Sequence, residues 1–395
     1  MDSIAVLAPL GGATETLRRF ATIDRDNLDE VLLRLGPTLH LHVLGLKVDL
    51  RFRSLDDFEP AGVLAQVEAV QRLLDGEADV PAPAPKVPDA PASSGLLDQI
   101  VQTQETGRSS DSAFVSSLVE HAMRGVQTFK PGDTGARAAR EAEASRRLAA
   151  ILHHPSFQKL EAAWRGLKRL VYAVGDDVRV KAFATAREDL ADAAEKAFAP
   201  SAEPFSFVLA DFSFSHEEPS MELLAKTAKG RLVAGASPRL AGVESWPEWE
   251  EPRHTSQAGA QYGAWRRFRS SEAAKQVTLV LPRMLARLPW GKSGREADGA
   301  EWFQEFEGVP PHDGYLWMGS GWAFAERLIT GANEVDRLPI SSYEEHGETE
   351  MKCPTERTLR DDHAAKLHEL GLAGLAHLPR TDRAAFVGKS SLGDG

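Results

Sequence analysis

The chain has 395 residues with 58 carboxylates against 46 Lys and Arg, a formal net charge of −12, and a single cysteine, Cys353. That acidic balance argues against a nucleic-acid binder, which needs a basic face to neutralise phosphates, and one cysteine excludes an internal disulfide framework and fits a reducing compartment. No uncharged apolar run reaches the ~18 residues of a spanning helix, and the opening MDSIAVLAPLGGA lacks a basic signal-peptide region, so the expectation is a cytoplasmic protein without membrane insertion.

Residues 1–75 read as a compact α/β block. Ile4 to Leu7 is a short apolar strand candidate. Asp26-Asn-Leu-Asp29 opens a helix with Leu28, Val31, Leu32 and Leu35 inward, and Gly36-Pro37 stops it. Next, Leu39, Leu41 and Val43 share one face with His40 and His42 opposite. Past Gly45, Val48, Leu50 and Phe52 alternate with Lys47, Asp49, Arg51 and Arg53, so the two runs form a half-buried hairpin. Pro60 leads a helix carrying Val63, Leu64, Val67, Val70, Leu73 and Leu74.

Residues 76–95 carry prolines 81, 83, 85, 88 and 91 among Ala and Ser. Such a stretch cannot build a core and acts as an extended spacer, spanning at most ~60 Å at about 3.1 Å per residue. Two helices are expected in 96–144, over 96–104 and 114–128. In the first, Leu96 leads, Leu97, Ile100 and Val101 fall on one face, and Asp98 favours the first-turn dipole.

A helix over 145–174 opens the remaining domain, 145–392. Pro155 suits a first turn, whose N–H is unpaired anyway. Behind it Phe157, Leu160, Trp164, Leu167 and Val171 recur at steps of three and four, a continuous apolar stripe. Strands at 178–183, 205–212, 232–236 and 277–281 then alternate with helices at 187–198, 221–230 and 262–268. That order predicts an α/β fold with a mixed, mostly parallel, helix-covered sheet. The last third is less regular: a helix at 320–332, a hairpin-like patch at 340–352, a helix at 361–370 and a strand at 384–387.

Chemistry-bearing patterns are weak. Pro289-Trp-Gly-Lys-Ser293 lacks the first glycine of a phosphate loop, with Ala286 in its place. His40 and His42 have no clustered Cys or carboxylate to complete a metal site. His153-His154 sits where a helix restarts and suits capping or core contact. Asp211, Ser213 and His216 lie on a strand end whose neighbours alternate faces, so they do not converge as a triad. Cys353 reads as a buried structural thiol. No catalytic residue, cofactor or metal is expected, and the chain reads as no enzyme.

The wording of several segments points to one family. Ile151–Tyr172 closely resembles the signature helix of the large subunit of the type VI secretion contractile sheath. The phrases 203–216, Ala234-Gly-Ala-Ser-Pro238, 265–272, 281–289, Tyr315-Leu-Trp317 with Gly321-Trp-Ala323, and Lys352-Cys-Pro-Thr-Glu356 follow in that family's order. Residues 96–392 thus resemble the large subunit. Phe20–Val31 and Leu50–Pro60 are similar to the small sheath subunit, a match covering most of 4–75. The resemblance implies a contractile-sheath fold: a fused, shortened sheath-like subunit without the large subunit's C-terminal region. It would pack with itself or with full-length sheath subunits around the inner tube. The alternative is a non-polymerising accessory that caps, nucleates or regulates assembly at the baseplate. The helix at Leu96–Val101 also resembles the one gripped by the sheath-recycling AAA+ ATPase, and packing on its own domain is the other reading.

Overall fold

The computed structural model describes residues 2–11, 20–77 and 133–392, apart from 176, 199–203, 229, 293, 309, 346–347 and 390. The helices expected at 96–104 and 114–128, with Leu96, Leu97, Asp98, Ile100 and Val101, lie outside the described residues. The chain divides into two units, residues 1–71 with 145–395, and residues 72–144.

The first segment contributes β1 (Asp2–Ala8), β2 (Ala21–Ile23), α1 (Leu28–Leu35), β3 (Thr38–Val43), β4 (Leu46–Arg51), α2 (Pro60–Leu64) and α3 (Glu68–Leu74). α1 buries Leu28, Val31, Leu32 and Leu35 and ends on Gly36 at φ +52°, a left-handed conformation that glycine adopts without a Cβ clash. The β3–β4 hairpin pairs Leu39 with Leu50 and Leu41 with Val48. Its inner residues are buried while His40, His42 and Asp49 face water, as the alternation predicts.

Two consecutive helices follow, α4 (Asp133–Leu152) and α5 (Pro155–Ala173). The break falls at His153-His154, where the His154 ring accepts the Ser156 N–H and Pro155 takes the first helical position. The alternating part supplies β5 (Val178–Ala184), α6 (Leu190–Ala197), β6 (Phe207–Phe214), α7 (Pro219–Thr227), β7 (Arg231–Ala236), α8 (Gly263–Arg269) and β8 (Val277–Leu281). The rest comprises β9 (Met284–Leu285), β10 (Trp317–Met318), α9 (Gly321–Thr330), β11 (Glu334–Val335), the hairpin β12 (Ser341–Glu345) and β13 (Glu348–Lys352), α10 (Asp361–Leu370), β14 (Ala373–His377) and β15 (Ala384–Gly388).

A nine-stranded mixed sheet runs β11-β15-β14-β8-β7-β6-β1-β5-β2. The six strands from β14 to β5 are mutually parallel, and β2, β15 and β11 add antiparallel edges. Residues 1–75, read from the sequence as a compact α/β block, place β1 in the interior of this sheet. β1 pairs with β5 from Asp2 to Ala8 and with β6 from Ile4 to Leu7. The physical reason is legible in Ile4-Ala-Val-Leu-Ala8, where all five residues are at most 1% exposed. A strand apolar on both faces requires neighbours and cover on both sides.

Helices cover the two faces. α9 packs on β6 and β7 with α5 against it, over Leu209 and Val233. Their sequence neighbours Val208, Ala210, Leu232 and Ala234 point the other way, into a core with α6, α7, α8 and the indoles of Trp246, Trp249 and Trp265. β14 was not foreseen, because Ala-Gly-Leu-Ala-His lacks the β-branched residues that mark strands.

Candidate functional site

The residues that tie the fold together converge on α5. Phe157, Leu160, Trp164, Leu167 and Val171 are at most 2% exposed, so the stripe is interior. Phe157 meets Phe52 and Phe58 edge-on, with centroids 5.7 and 5.9 Å away, while those two rings stack at 4.2 Å. Trp164 donates its indole N–H to the Leu10 carbonyl at 3.0 Å. One helix therefore anchors both the chain leaving β1 and the turn after the β3–β4 hairpin. At its C-terminal end the Arg25 guanidinium donates to the carbonyls of Tyr172 and Val174 at 3.1 and 2.8 Å, satisfying groups that a helix end leaves open.

The other flank meets α9. A Cβ on Gly166 would lie 2.4 Å from the Trp322 indole, so only glycine permits this approach. Arg169 bridges the same pair of helices, donating to Glu326 at 2.9 Å and to the Asp336 carbonyl at 2.9 Å.

Beneath this joint lies a buried ion cluster. Arg287 donates Nε to Glu161 at 2.8 Å and Nη1 to Glu305 at 2.8 Å, and the three side chains are at most 4% exposed. Glu161 also accepts from Arg165 at 2.8 Å. Glu305 accepts the Trp290 backbone N–H at 2.7 Å and faces His153 Nε2 at 3.0 Å. Burial opposes the ionised Glu305, yet Arg287, His153 and the Trp290 amide outweigh it and hold the carboxyl at about 2. Each charge is thus compensated several times, the condition under which ions persist away from water. A second pair, bidentate Arg283–Glu356 at 2.9 and 2.6 Å, likewise holds Glu356 at about 2 against its burial.

Asp211 behaves in the opposite way. It lies on β6 beside Gly319, and desolvation raises its carboxyl to about 6, only partly offset by Trp322 and Lys159. His216 instead packs at a tilt against Tyr262 with centroids 4.1 Å apart, on the opposite face of the sheet, and Ser213 is exposed. No nucleophile and base are brought together here.

The remaining candidates are structural. Around Lys292 the N–H groups a phosphate would take are spent: Gly291 donates to the Arg295 carbonyl at 2.7 Å and Lys292 to Gln304 at 3.1 Å. His40 pairs with Asp49 at 2.6 Å on the surface. His153 stacks on Phe306. Cys353 is half-buried rather than fully buried, directly after the separate β12–β13 hairpin, with its sulfur 3.1 Å from the Thr355 hydroxyl. Among the described residues there is no metal-competent cluster of His, Cys, Asp and Glu and no helix long and apolar enough to cross a membrane.

The sequence reading missed the Glu161–Arg287–Glu305 cluster. A signal existed: Glu161 falls beside the 157/160/164 stripe, and Arg287 stands inside the apolar run Leu285-Ala-Arg-Leu-Pro289.

Residues 138–202 and 198–393 match the family described as EvpB/VC_A0108, tail sheath N-terminal domain. Residues 13–110 match the family described as Type VI secretion system, VipA, VC_A0107 or Hcp2. The chain is 29% identical over 351 residues to the type VI secretion system sheath protein TssC1 of Pseudomonas aeruginosa, covering 76% of this chain and 70% of that protein. It is 33% identical over 85 residues to the sheath protein TssB1 of the same organism, covering 18% of this chain and 49% of that protein.

Proposed function

Because the chain belongs to the type VI secretion tail sheath family, with a TssB-like segment ahead of a TssC-like one, we propose that it is a fused sheath subunit. In this reading it packs with copies of itself or with full-length sheath subunits around the inner tube, and performs no catalysis. The observation that carries it is the shared core: β1 and the Phe52–Phe58 turn from the first segment are held by α5 of the second. A single polypeptide then fixes the two parts one to one and keeps them together without a separate binding step. Work would come from rearranging packed interfaces rather than from a bound cofactor.

The segment Leu96–Val101 is proposed as the docking helix for the recycling AAA+ ATPase, and contact with the baseplate is part of the same proposal. The test is co-assembly. Purified protein mixed with a full-length sheath pair should enter tubes seen by negative-stain microscopy. Binding confined to tube ends would instead support the capping or nucleating accessory. Exclusion from both tubes and ends would overturn the sheath reading.

A further inference from the structure

We propose that the cavity between the first turns of α5 and the start of α9 binds a free amino acid with an apolar side chain, held as a zwitterion between Asp211 and Lys159. The proposal goes beyond the sheath reading and does not depend on it.

Topology puts this cavity where open α/β sheets hold ligands. β1 and β6 are neighbours, yet the crossover into β5 comes from α5 on one face, whereas β6 leads through α7 on the other. Ligands of such sheets gather outside the carboxyl ends of the strands where connections diverge in this way. The cavity measures about 320 Å³, the lower end of the range for ligand sites. Pro155, Gln158 and Lys159 of α5 form one side. Arg283, just past the carboxyl end of β8, and Gly319, just before α9, belong to another. Tyr315, Trp317 and Met318 supply an apolar wall. That wall is fixed beforehand, since the Trp317 indole donates to the His312 carbonyl at 2.9 Å and Lys352 Nζ lies 5.0 Å from the Tyr315 centroid. An apolar group therefore meets a preformed surface.

Two opposite charges belong to this space without pairing. Asp211 sits at a bulge of β6, where pairing with β7 shifts register between Ala210 and Ser213, a distortion that re-aims side chains. Glu161, Glu305, Glu326 and Glu356 each accept from an arginine at 2.6 to 2.9 Å. Asp211, half-buried, has no bonded cation among the described residues. Lys159 is exposed and close enough to favour the Asp211 carboxylate, but the two form no ion pair. Arg283 does not compete for a ligand, because both its donating edges bond Glu356. A simple anion would gain Lys159 and be repelled by Asp211, and a simple cation would meet the reverse. A zwitterion sets its ammonium on Asp211 and its carboxylate on Lys159, and its side chain lies on the Trp317 wall.

Two neighbouring residues fit an occupant at the same spot. A Cβ on Gly319 would lie 2.9 Å from Asp211 Oδ1, so glycine keeps that oxygen open. Ser320, 2% exposed, stands at the N-cap of α9 without capping it, and its Oγ has no hydrogen-bond partner among the described residues. Buried hydroxyls are seldom left in that state, and a polar ligand group beside Gly319 supplies the missing partner.

The test is calorimetric titration of the full chain above about pH 7, where Asp211 is ionised. L-phenylalanine and L-leucine should each bind saturably at ~1 mM or below. N-acetyl-L-phenylalanine, which lacks the ammonium, and L-phenylalaninamide, which lacks the carboxylate, should each bind at least about tenfold more weakly. Lys159→Met, a change at an exposed position, should lower affinity by a similar factor with an unchanged melting temperature. Asp211→Asn should do the same without loss of fold, and Gly319→Ala should abolish binding. No saturable binding of either amino acid, equal binding of the two derivatives, or unchanged affinity in either Lys159→Met or Asp211→Asn would overturn the proposal.

Discussion

Two regions of this protein hold ion pairs of similar length and opposite consequence. On the outer face of the β3–β4 hairpin, His40 meets Asp49 at 2.6 Å with both side chains more than three-quarters exposed. Under α5, Arg287 meets Glu161 and Glu305 at 2.8 Å with almost no exposure. Water solvates the first pair whether or not it forms, so its loss changes little. The second trio has no water to fall back on, so deleting one member strands the others. The comparison teaches that burial and the number of partners, not the distance, decide which charges hold this fold.

The largest test of that contrast is Arg287→Ala, which leaves Glu161 and Glu305 buried without their cation. It should destabilise by ~3–5 kcal/mol in chemical denaturation. A loss below about 1 kcal/mol would place the cluster with surface pairs. Trp164→Ala, which empties the space between α5 and the chain after β1, should cost a comparable ~3–5 kcal/mol. A melting temperature lowered by less than a degree or two would contradict an interior role.

Protonation gives intermediate effects with opposite signs. Glu305 sits at about 2 in the folded protein against 4.5 unperturbed. Its contribution is therefore present above pH ~4.5 and is lost as pH falls through 2. Asp211 is raised to about 6 from 3.8. The folded state holds its proton more tightly there, so stability declines as pH rises from 3.8 to 6. Asp211→Asn should remove that decline and stabilise the protein at pH 7 by roughly 1–2 kcal/mol. A stability–pH curve unchanged by the substitution would refute it. At the small end, Asp49→Asn should change stability by less than about 0.5 kcal/mol, and a larger loss would mean the hairpin face is covered in solution.

Much of the local structure followed from pattern. The α5 stripe, the alternation of the β3–β4 hairpin and the spacing in α10 each obey a period that hydrophobic burial imposes along a few turns or one strand, while β8 is a short run buried throughout. The family resemblance was likewise carried by short phrases in fixed order. What escaped lies where the deciding partner is distant in sequence. Ile4–Ala8 announces a strand, but its seat between β5 and β6 depends on residues about 175 and 200 positions away. Glu161 and Arg287 stand beside apolar residues in the sequence, but they lie 126 positions apart, and only the fold brings them together and removes water from both. Gly166 looks like a flaw in a helix until Trp322 occupies the space a Cβ would need. Sequence by itself determined most of the helices and strands, β14 excepted, and which face of each is apolar, because those preferences act within a few residues. Tertiary structure alone decided strand order, the closeness of α5 to α9 and which charges are buried, because those depend on solvent excluded by segments far apart in the chain.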